Sequence, residues 1–210
     1  MRKYIAAVCC LAILLAGCKN KSGQKDKDGT TVPDVSLTQE EKSVKLTQIS
    51  KEILNELKNK NYSGISRFID PEAGIRFSPY SFVDSAKDVH FSKKEYMEIV
   101  LAPGQAKRKW GESDGTGDPI NMTLNEYMQE FVYDVDFLTP ERFAVNEFIG
   151  SGNTINNLLK AYPGCDFTES YFSGFEEKYD GMDWRSLRLV FKNTGGEFYL
   201  VGIIHDEWTI

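Results

Sequence analysis

The chain has 210 residues, and its 25 Lys and Arg against 31 Asp and Glu give a net charge of −6 at pH 7. An acidic chain is poorly suited to nucleic acid, because phosphates attract basic surfaces, so no nucleic-acid partner is predicted. The length allows one domain with a full hydrophobic core. No cofactor is predicted.

The N-terminal residues form a predicted export signal followed by a lipidation motif. Arg2 and Lys3 precede an apolar run, Tyr4–Ala16, which is too short to span a bilayer and has the length of a signal-peptide core. The segment Leu15-Ala16-Gly17-Cys18 resembles the lipobox of bacterial lipoproteins. The resemblance implies that residues 1–17 are removed, that Cys18 is lipidated, and that the protein is a membrane-anchored lipoprotein of the cell envelope. An uncleaved membrane anchor is the alternative, which the short apolar run disfavours.

Residues 18–37 are predicted to be the lipidated cysteine and a flexible tether. The segment is rich in Lys, Asp, Gly, Ser and Thr, and such a composition buries too little apolar surface to offset the entropy of ordering. Residues 38–210 are predicted to form one domain. Cys165 is the one thiol left after processing, so no intramolecular disulfide is predicted.

Three helices are predicted from capping boxes, in which Ser or Thr is followed three residues later by Glu. They start at Thr38, Ser92 and Thr123, and Pro103 ends the second. A further short helix is predicted over Tyr62–Ile69.

Strands are predicted from short runs of β-branched and aromatic residues between turns; they cover 74–78, 89–91, 107–112, 142–149, 167–172, 187–191 and 198–205. Gly195-Gly196 predicts a hairpin between the last two. The segment 114–118 faintly resembles a calcium loop but lacks its full pattern, so a hairpin turn is favoured there. Helices followed by strands predict an α+β domain, with N-terminal helices packed on a curved, mostly antiparallel sheet.

The C-terminal strand carries the first candidate site. Both faces of residues 198–204 are apolar, which predicts a central strand covered on both sides. His205 and Glu207 then share one face, while Asp206 lies on the other. His205 with a carboxylate is a candidate acid/base pair; a zinc site formed with His90 is weaker, and no metal site is predicted. A structural strand-end role for His205 is favoured over both.

Two arginines on apolar strands form the second candidate site. Arg76 and Arg188 each lie among apolar neighbours, where a guanidinium can grip a carboxylate or phosphate of a ligand, or simply pair with Asp or Glu. The simple ion pair is favoured. If a ligand pocket exists, Trp184 and Tyr133 are predicted to line it with the two arginines.

One further segment, Gly150–Asn157, has glycines before Asn153 and predicts a turn into a helix capped by that asparagine. Phosphate binding at this helix start is the less favoured interpretation.

Three segments, IDPEAGIRFSPY, GMDWRSLRLVF and YLVGIIHDEWTI, resemble parts of uncharacterised bacterial lipoproteins. The order of helices and strands is similar to the NTF2-like, cystatin-related α+β class, whose members hold a pocket between sheet and helices. The leading prediction for the function is a non-enzymatic binding module for a small ligand or an envelope component. Two alternatives stay open: an NTF2-like enzyme using His205 with Asp206 or Glu207, and a protein–protein interaction module, with a homodimer among the options.

Overall fold

The structure is a computed structural model that describes residues 37–210. The predicted signal peptide, Cys18 and all but the last residue of the predicted tether lie outside the described residues. Those described form helices α1 (Gln39–Lys58), α2 (Tyr62–Ile65), α3 (Lys93–Leu101), α4 (Leu124–Glu130) and α5 (Leu158–Ala161), and strands β1 (Ile75–Ser78), β2 (Val89–Phe91), β3 (Arg108–Glu112), β4 (Pro119–Met122), β5 (Arg142–Val145), β6 (Asp166–Phe172), β7 (Arg185–Thr194) and β8 (Glu197–Glu207). Over this range every helix is too short or too polar to cross a membrane.

Local sequence fixes the helix starts. Thr38, Ser92 and Thr123 each accept a hydrogen bond from the N–H three residues on, and the glutamate there binds back to the cap. All three predicted capping boxes are confirmed. The predicted stop is also confirmed, since α3 ends at Leu101, two residues before Pro103.

The strands build an open six-stranded sheet in the order β2-β1-β8-β7-β6-β5. All neighbours are antiparallel except β1 and β8, which run parallel. Gly195 and Gly196 join β7 to β8 with positive φ angles of 64° and 88°, as the predicted hairpin requires. A second hairpin, β3–β4, forms a separate two-stranded sheet around the segment 114–118. The predicted α+β class and mostly antiparallel sheet are confirmed.

The two faces of the large sheet are covered differently. On what we call the helix face, α1, α2, α3 and α4 pack over the main core, which includes Leu54, Tyr127, Phe77, Leu189 and Ile203. On the opposite side, the loop face, the chain around Val83 and Leu158 covers a smaller core with Val190 and Ile204. Strand β8 is therefore central and covered on both sides, as predicted.

Two local predictions are wrong, because contacts with distant parts of the chain override the local pattern in each case. The strand predicted over 142–149 ends at Val145, and the helix expected after Asn153 begins only at Leu158. Glu169 of β6 accepts hydrogen bonds from the N–H groups of Ile149 and Gly150, at 2.8 and 3.0 Å, and draws the chain off the sheet edge. The Asn153 side chain donates to the carbonyl of Thr209 rather than capping a helix.

Candidate functional site

The register of β7 and β8 distributes their charged residues over both faces of the sheet. Arg185 lies opposite Glu207, Leu187 opposite His205, and Arg188 opposite Ile204. Because side chains alternate along a strand, His205 and Glu207 face the helices while Asp206 faces the loops. The His-Asp-Glu triplet is therefore divided between two environments, as the alternation predicted.

On the loop face, Arg188 is the centre of a sealed ion network. Its side chain is fully buried, with Nη2 3.0 Å from Glu169 Oε1 and Nη1 3.0 Å from Asp206 Oδ2. It also donates to Ser81 Oγ and to the carbonyl of Gly150, at 2.9 and 3.0 Å. The predicted ion pairing of Arg188 is confirmed, and both guanidinium Nη atoms are engaged by the protein itself.

This network holds two carboxylates against one guanidinium. Burial raises the pKa of the Asp206 carboxyl, and Arg188 and Ser81 offset that effect only in part. Asp206 Oδ1 has no hydrogen-bond partner among the described residues. The network therefore keeps one carboxylate in an unfavourable buried environment. Its contacts with Ser81 and Gly150 fix two loops on the sheet.

The four residues predicted to line a pocket do not meet in one cavity within residues 37–210. Trp184 lies near Arg188 under the same loop, since a side chain added at Gly150 would collide with its ring. Arg76, on the same face, donates instead to the carbonyls of Ser85 and Asp88, at 3.2 and 3.1 Å.

Tyr133 lies on the helix face, away from the other three. Its hydroxyl donates to Asp136 Oδ1 at 2.6 Å and accepts from the N–H of Leu138. These bonds fold the loop after α4 on itself. The role of Tyr133 in a pocket stays a prediction.

On the helix face, a second network is centred on Arg185, at the start of β7. Arg185 Nε lies 2.7 Å from Asp134 Oδ2, and Nη2 lies 3.3 Å from Glu207 Oε2. Nη1 donates to the carbonyls of Asp183 and Trp184. All three nitrogens of Arg185 thus have partners in the protein.

Behind Asp134 lies the buried imidazole of His205. Its Nε2 is 3.4 Å from Asp134 Oδ1, and the His205 side chain is 1% exposed against 17% for Asp134. Both ring nitrogens and Asp134 Oδ1 lack a hydrogen bond with good geometry among the described residues. Burial opposes ionisation of Asp134, yet His205 and Arg185 together outweigh it and hold the pKa of the carboxyl below its usual value.

Asp134 opens onto a cleft of about 590 Å3, within the usual size range of small-molecule sites. We call it the α4–β8 cleft; its lining residues are Glu126, Gln129, Glu130, Phe131, Asp134, Arg185 and Glu207. His205 does not line the cleft. The aromatic ring of Phe131 packs edge-on against the imidazole, with 6.1 Å between centroids. A molecule in the cleft would therefore meet Asp134, with His205 acting from behind it.

The cleft owes its charge to the polar stripe of α4. Leu124, Tyr127 and Met128 of this helix are buried in the main core. Glu126 and Glu130 lie one turn apart on the opposite stripe. That spacing was visible in the sequence, but the contribution of Asp134 was not, because it depends on how the loop after α4 returns to the sheet.

Other grooves on the described surface carry less chemistry. One of them, of about 630 Å3, lies along α1 and is lined by residues that include Val44, Lys51 and Arg67. None of its lining residues is a buried polar group without a partner. Residues 37–210 also contain no cluster of three His, Cys, Asp or Glu side chains placed to hold a metal ion.

Comparison of the chain with protein families, with curated proteins and with solved structures gave no significant match. The function is therefore argued from the geometry of the α4–β8 cleft and from the sequence motifs.

Proposed function

We propose that this protein is a lipid-anchored component of the bacterial cell envelope whose folded domain is a binding module for a small ligand or an envelope component. The lipobox-like segment ending at Cys18 supports the anchor, since only a cysteine supplies the thiol for a thioether-linked lipid. The α4–β8 cleft supports the binding role. An NTF2-like or cystatin-like relationship of the domain is part of the proposal, supported by helices on one face of a mostly antiparallel sheet.

The anchor is tested by expressing the full chain in a bacterial host fed radiolabelled palmitate. We expect label on the wild-type protein and its recovery with membranes, and loss of both in Cys18→Ser. Cys9→Ser and Cys10→Ser are matched controls, because these cysteines lie in the predicted signal core and leave with it. Equal labelling of Cys18→Ser and the wild type would refute the anchor.

The observation that carries the binding role is the α4–β8 cleft, in which a volume of about 590 Å3 opens onto Asp134, while the buried His205 behind Asp134 has no hydrogen bond of good geometry with the described residues. Buried polar groups are normally satisfied, so an exception directly behind the wall of a cleft indicates a functional constraint. The ion network around Arg188 is buried away from solvent and offers no comparable opening.

Binding is tested by ligand-observed NMR with a panel of amines, carboxylates and neutral sugars of the kinds found in cell envelopes. We expect a subset to bind the wild type and none to bind Gln129→Trp, which fills the cleft without changing charge. Gln39→Trp is the control, because Gln39 is exposed in the first turn of α1, outside the cleft. Binding that persists in Gln129→Trp contradicts the site, and no binding by any panel member contradicts the function.

An acid/base role is the second candidate, favoured by the contact of 3.4 Å between His205 Nε2 and Asp134 Oδ1. Because the imidazole is sealed, Asp134 would be the group that exchanges a proton with a bound molecule, and His205 would position it. The recovery of every bound panel compound unchanged after prolonged incubation with the protein supports the binding role. Turnover that is lost in Asp134→Asn supports the enzyme.

A further inference from the structure

Exposed apolar side chains gather on the loop face of the large sheet. Four of them, which we call the loop-face patch, are between 38% and 73% exposed: Phe82, Phe148, Ile155 and Leu159. They belong to two segments, 79–83 and 148–159, that contain no charged residue, although 27% of the chain is charged. Large apolar groups at a protein surface normally occur singly, so an uncharged group of them indicates a surface that contacts something apolar.

Buried neighbours hold the two segments on one surface. Phe148 stacks on Phe167, with 4.6 Å between ring centroids, and Phe167 packs with Leu158 in the smaller core. The Asn157 side chain accepts from the N–H of Val83 at 2.8 Å and donates to the carbonyl of Val83 at 3.0 Å. The loops that carry the patch are therefore joined to each other and to the sheet beneath them.

The lack of charge on the patch is important because the chain as a whole is acidic. Its net charge is −6, so most of its surface is repelled by the anionic headgroups of a bilayer. The loop-face patch can approach lipid without that repulsion. Its phenyl and aliphatic side chains are stabilised when they leave water for the boundary between headgroups and acyl chains.

The area of the patch distinguishes a bilayer from a second copy of the chain. A stable dimer buries about 800 Å2 on each partner, drawn from about 20–30 residues. The two segments have 17 residues together, and Ser81, Val83 and Leu158 among them are buried. That is too little for a stable dimer. A lipid anchor, in contrast, keeps the domain at a high effective concentration beside the bilayer, so a small apolar surface suffices.

The start of the folded domain lies close to the patch. Lys42 of α1 is 3.1 Å from Asp166, and the next residue, Phe167, carries the ring of Phe148. Cys18 and Leu37 are 19 residues apart, a length that spans at most about 65 Å. A chain anchored at Cys18 therefore enters the domain near the Phe148 border of the patch and is long enough to let the patch reach the bilayer.

Resting on the proposed lipid anchor, we propose that the loop-face patch lies on the lipid bilayer, with its four side chains inserted at the boundary between headgroups and acyl chains. The bilayer then holds the domain in one orientation. Because the α4–β8 cleft is on the helix face, it points away from the lipid and stays open to molecules in solution.

Quenching of tryptophan fluorescence by brominated lipid tests the contact. Trp110 and Trp184 are buried, whereas Trp208 is 43% exposed, so Trp208→Phe removes the exposed tryptophan. In that background, Leu159→Trp places a reporter in the patch, and Leu101→Trp places one on α3, where it also replaces an exposed leucine. The full lipidated chain is reconstituted in vesicles of phosphatidylethanolamine and phosphatidylglycerol, with and without bromine on the acyl chains.

We expect brominated lipid to quench the Leu159→Trp reporter above the level of the Trp208→Phe background, and Leu101→Trp to stay at that level. Adding Ile155→Asp to the Leu159→Trp chain should reduce the quenching to about a third or less, because a charged side chain resists leaving water. Val44→Asp is the matched control, since Val44 is exposed on α1 outside the patch, and it should leave the quenching unchanged.

The outcomes separate this inference from the anchor on which it rests. If the chain stays on the vesicles through Cys18 while the Leu159→Trp reporter is quenched no more than Leu101→Trp, the anchor stands and the inference is wrong. If Cys18→Ser binds the vesicles as well as the wild type and Leu159→Trp is still quenched, the anchor is wrong and the patch itself binds lipid. A dimer of the Cys18→Ser chain in analytical ultracentrifugation that Ile155→Asp separates would assign the patch to a second copy and overturn the inference.

Discussion

Two arginines of β7, three residues apart, each bind two carboxylates, and they do so on opposite faces of one sheet. Arg188 pairs with Glu169 and Asp206, with side chains that are at most 1% exposed. Arg185 pairs with Asp134 and Glu207, with side chains between 17% and 26% exposed. The charged composition is the same, and only the surroundings differ.

The surroundings decide what each network does. Glu169 accepts from Ser186 as well as from two backbone N–H groups, so the Arg188 network fastens a loop over the sheet. The Arg185 network binds Asp134, in the loop after α4, and opens onto the α4–β8 cleft. A buried arginine paired with two carboxylates holds the chain above it in place, whereas the same three groups beside an open cleft can contact a ligand.

The largest expected effect comes from removing the buried guanidinium. Arg188→Met leaves Glu169 and Asp206 buried without a counter-ion, which should lower the free energy of unfolding by about 3–5 kcal/mol. Urea denaturation of the folded domain measures this loss. Adding Glu169→Gln and Asp206→Asn to Arg188→Met should recover part of it, because no charge is then left buried. A loss below about 1 kcal/mol in the single variant would show that the network does not clamp the loops.

The corresponding change in the open network should cost much less. Arg185→Gln removes two ion pairs that solvent partly screens, so we expect a loss of about 1 kcal/mol or less, and less still at high salt. The same urea titration, run beside Arg188→Met, gives the comparison directly. A loss as large as that of Arg188→Met would mean that both networks are structural, and would weaken the argument for a ligand at Asp134.

Much of the fold follows from short-range patterns. The capping boxes at Thr38, Ser92 and Thr123 start helices where the sequence places them, since each is completed within four residues. The two apolar faces of β8 predict its central position in the same way. The strand after Arg142 was predicted too long, because its end is set by Glu169 on another strand.

The candidate site was predictable only in part, for a related reason. Alternation along β8 puts His205 and Glu207 on one face, and an acidic chain makes an ion pair the favoured fate of Arg188. Asp134 follows α4 in an irregular loop, and nothing local in the sequence says that this loop brings it beside His205. The partner of His205 had to come from another element, and periodicity within one element cannot identify it.

The smallest expected effect is on the pH dependence of stability, which should have opposite signs for the two networks. Burial raises the pKa of Asp206 above its ordinary 3.8, so its contribution to stability is present below about pH 4 and is lost as the pH rises through the raised value. The stability of the wild type relative to Asp206→Asn should therefore fall as the pH increases.

For Asp134, burial opposes ionisation, but His205 and Arg185 outweigh burial and hold the pKa of the carboxyl below 3.8. The contribution of Asp134 to stability is therefore present above pH 3.8 and is lost as the pH falls through the lowered pKa. Relative to Asp134→Asn, the wild type should lose stability towards acid. Urea denaturation between about pH 3 and about pH 7 measures both differences, with the exposed Asp118→Asn as control for the substitution itself. If the two stability differences changed with pH in the same direction, the proposed difference between the two networks would be wrong, because the pKa of Asp206 is raised and that of Asp134 is lowered.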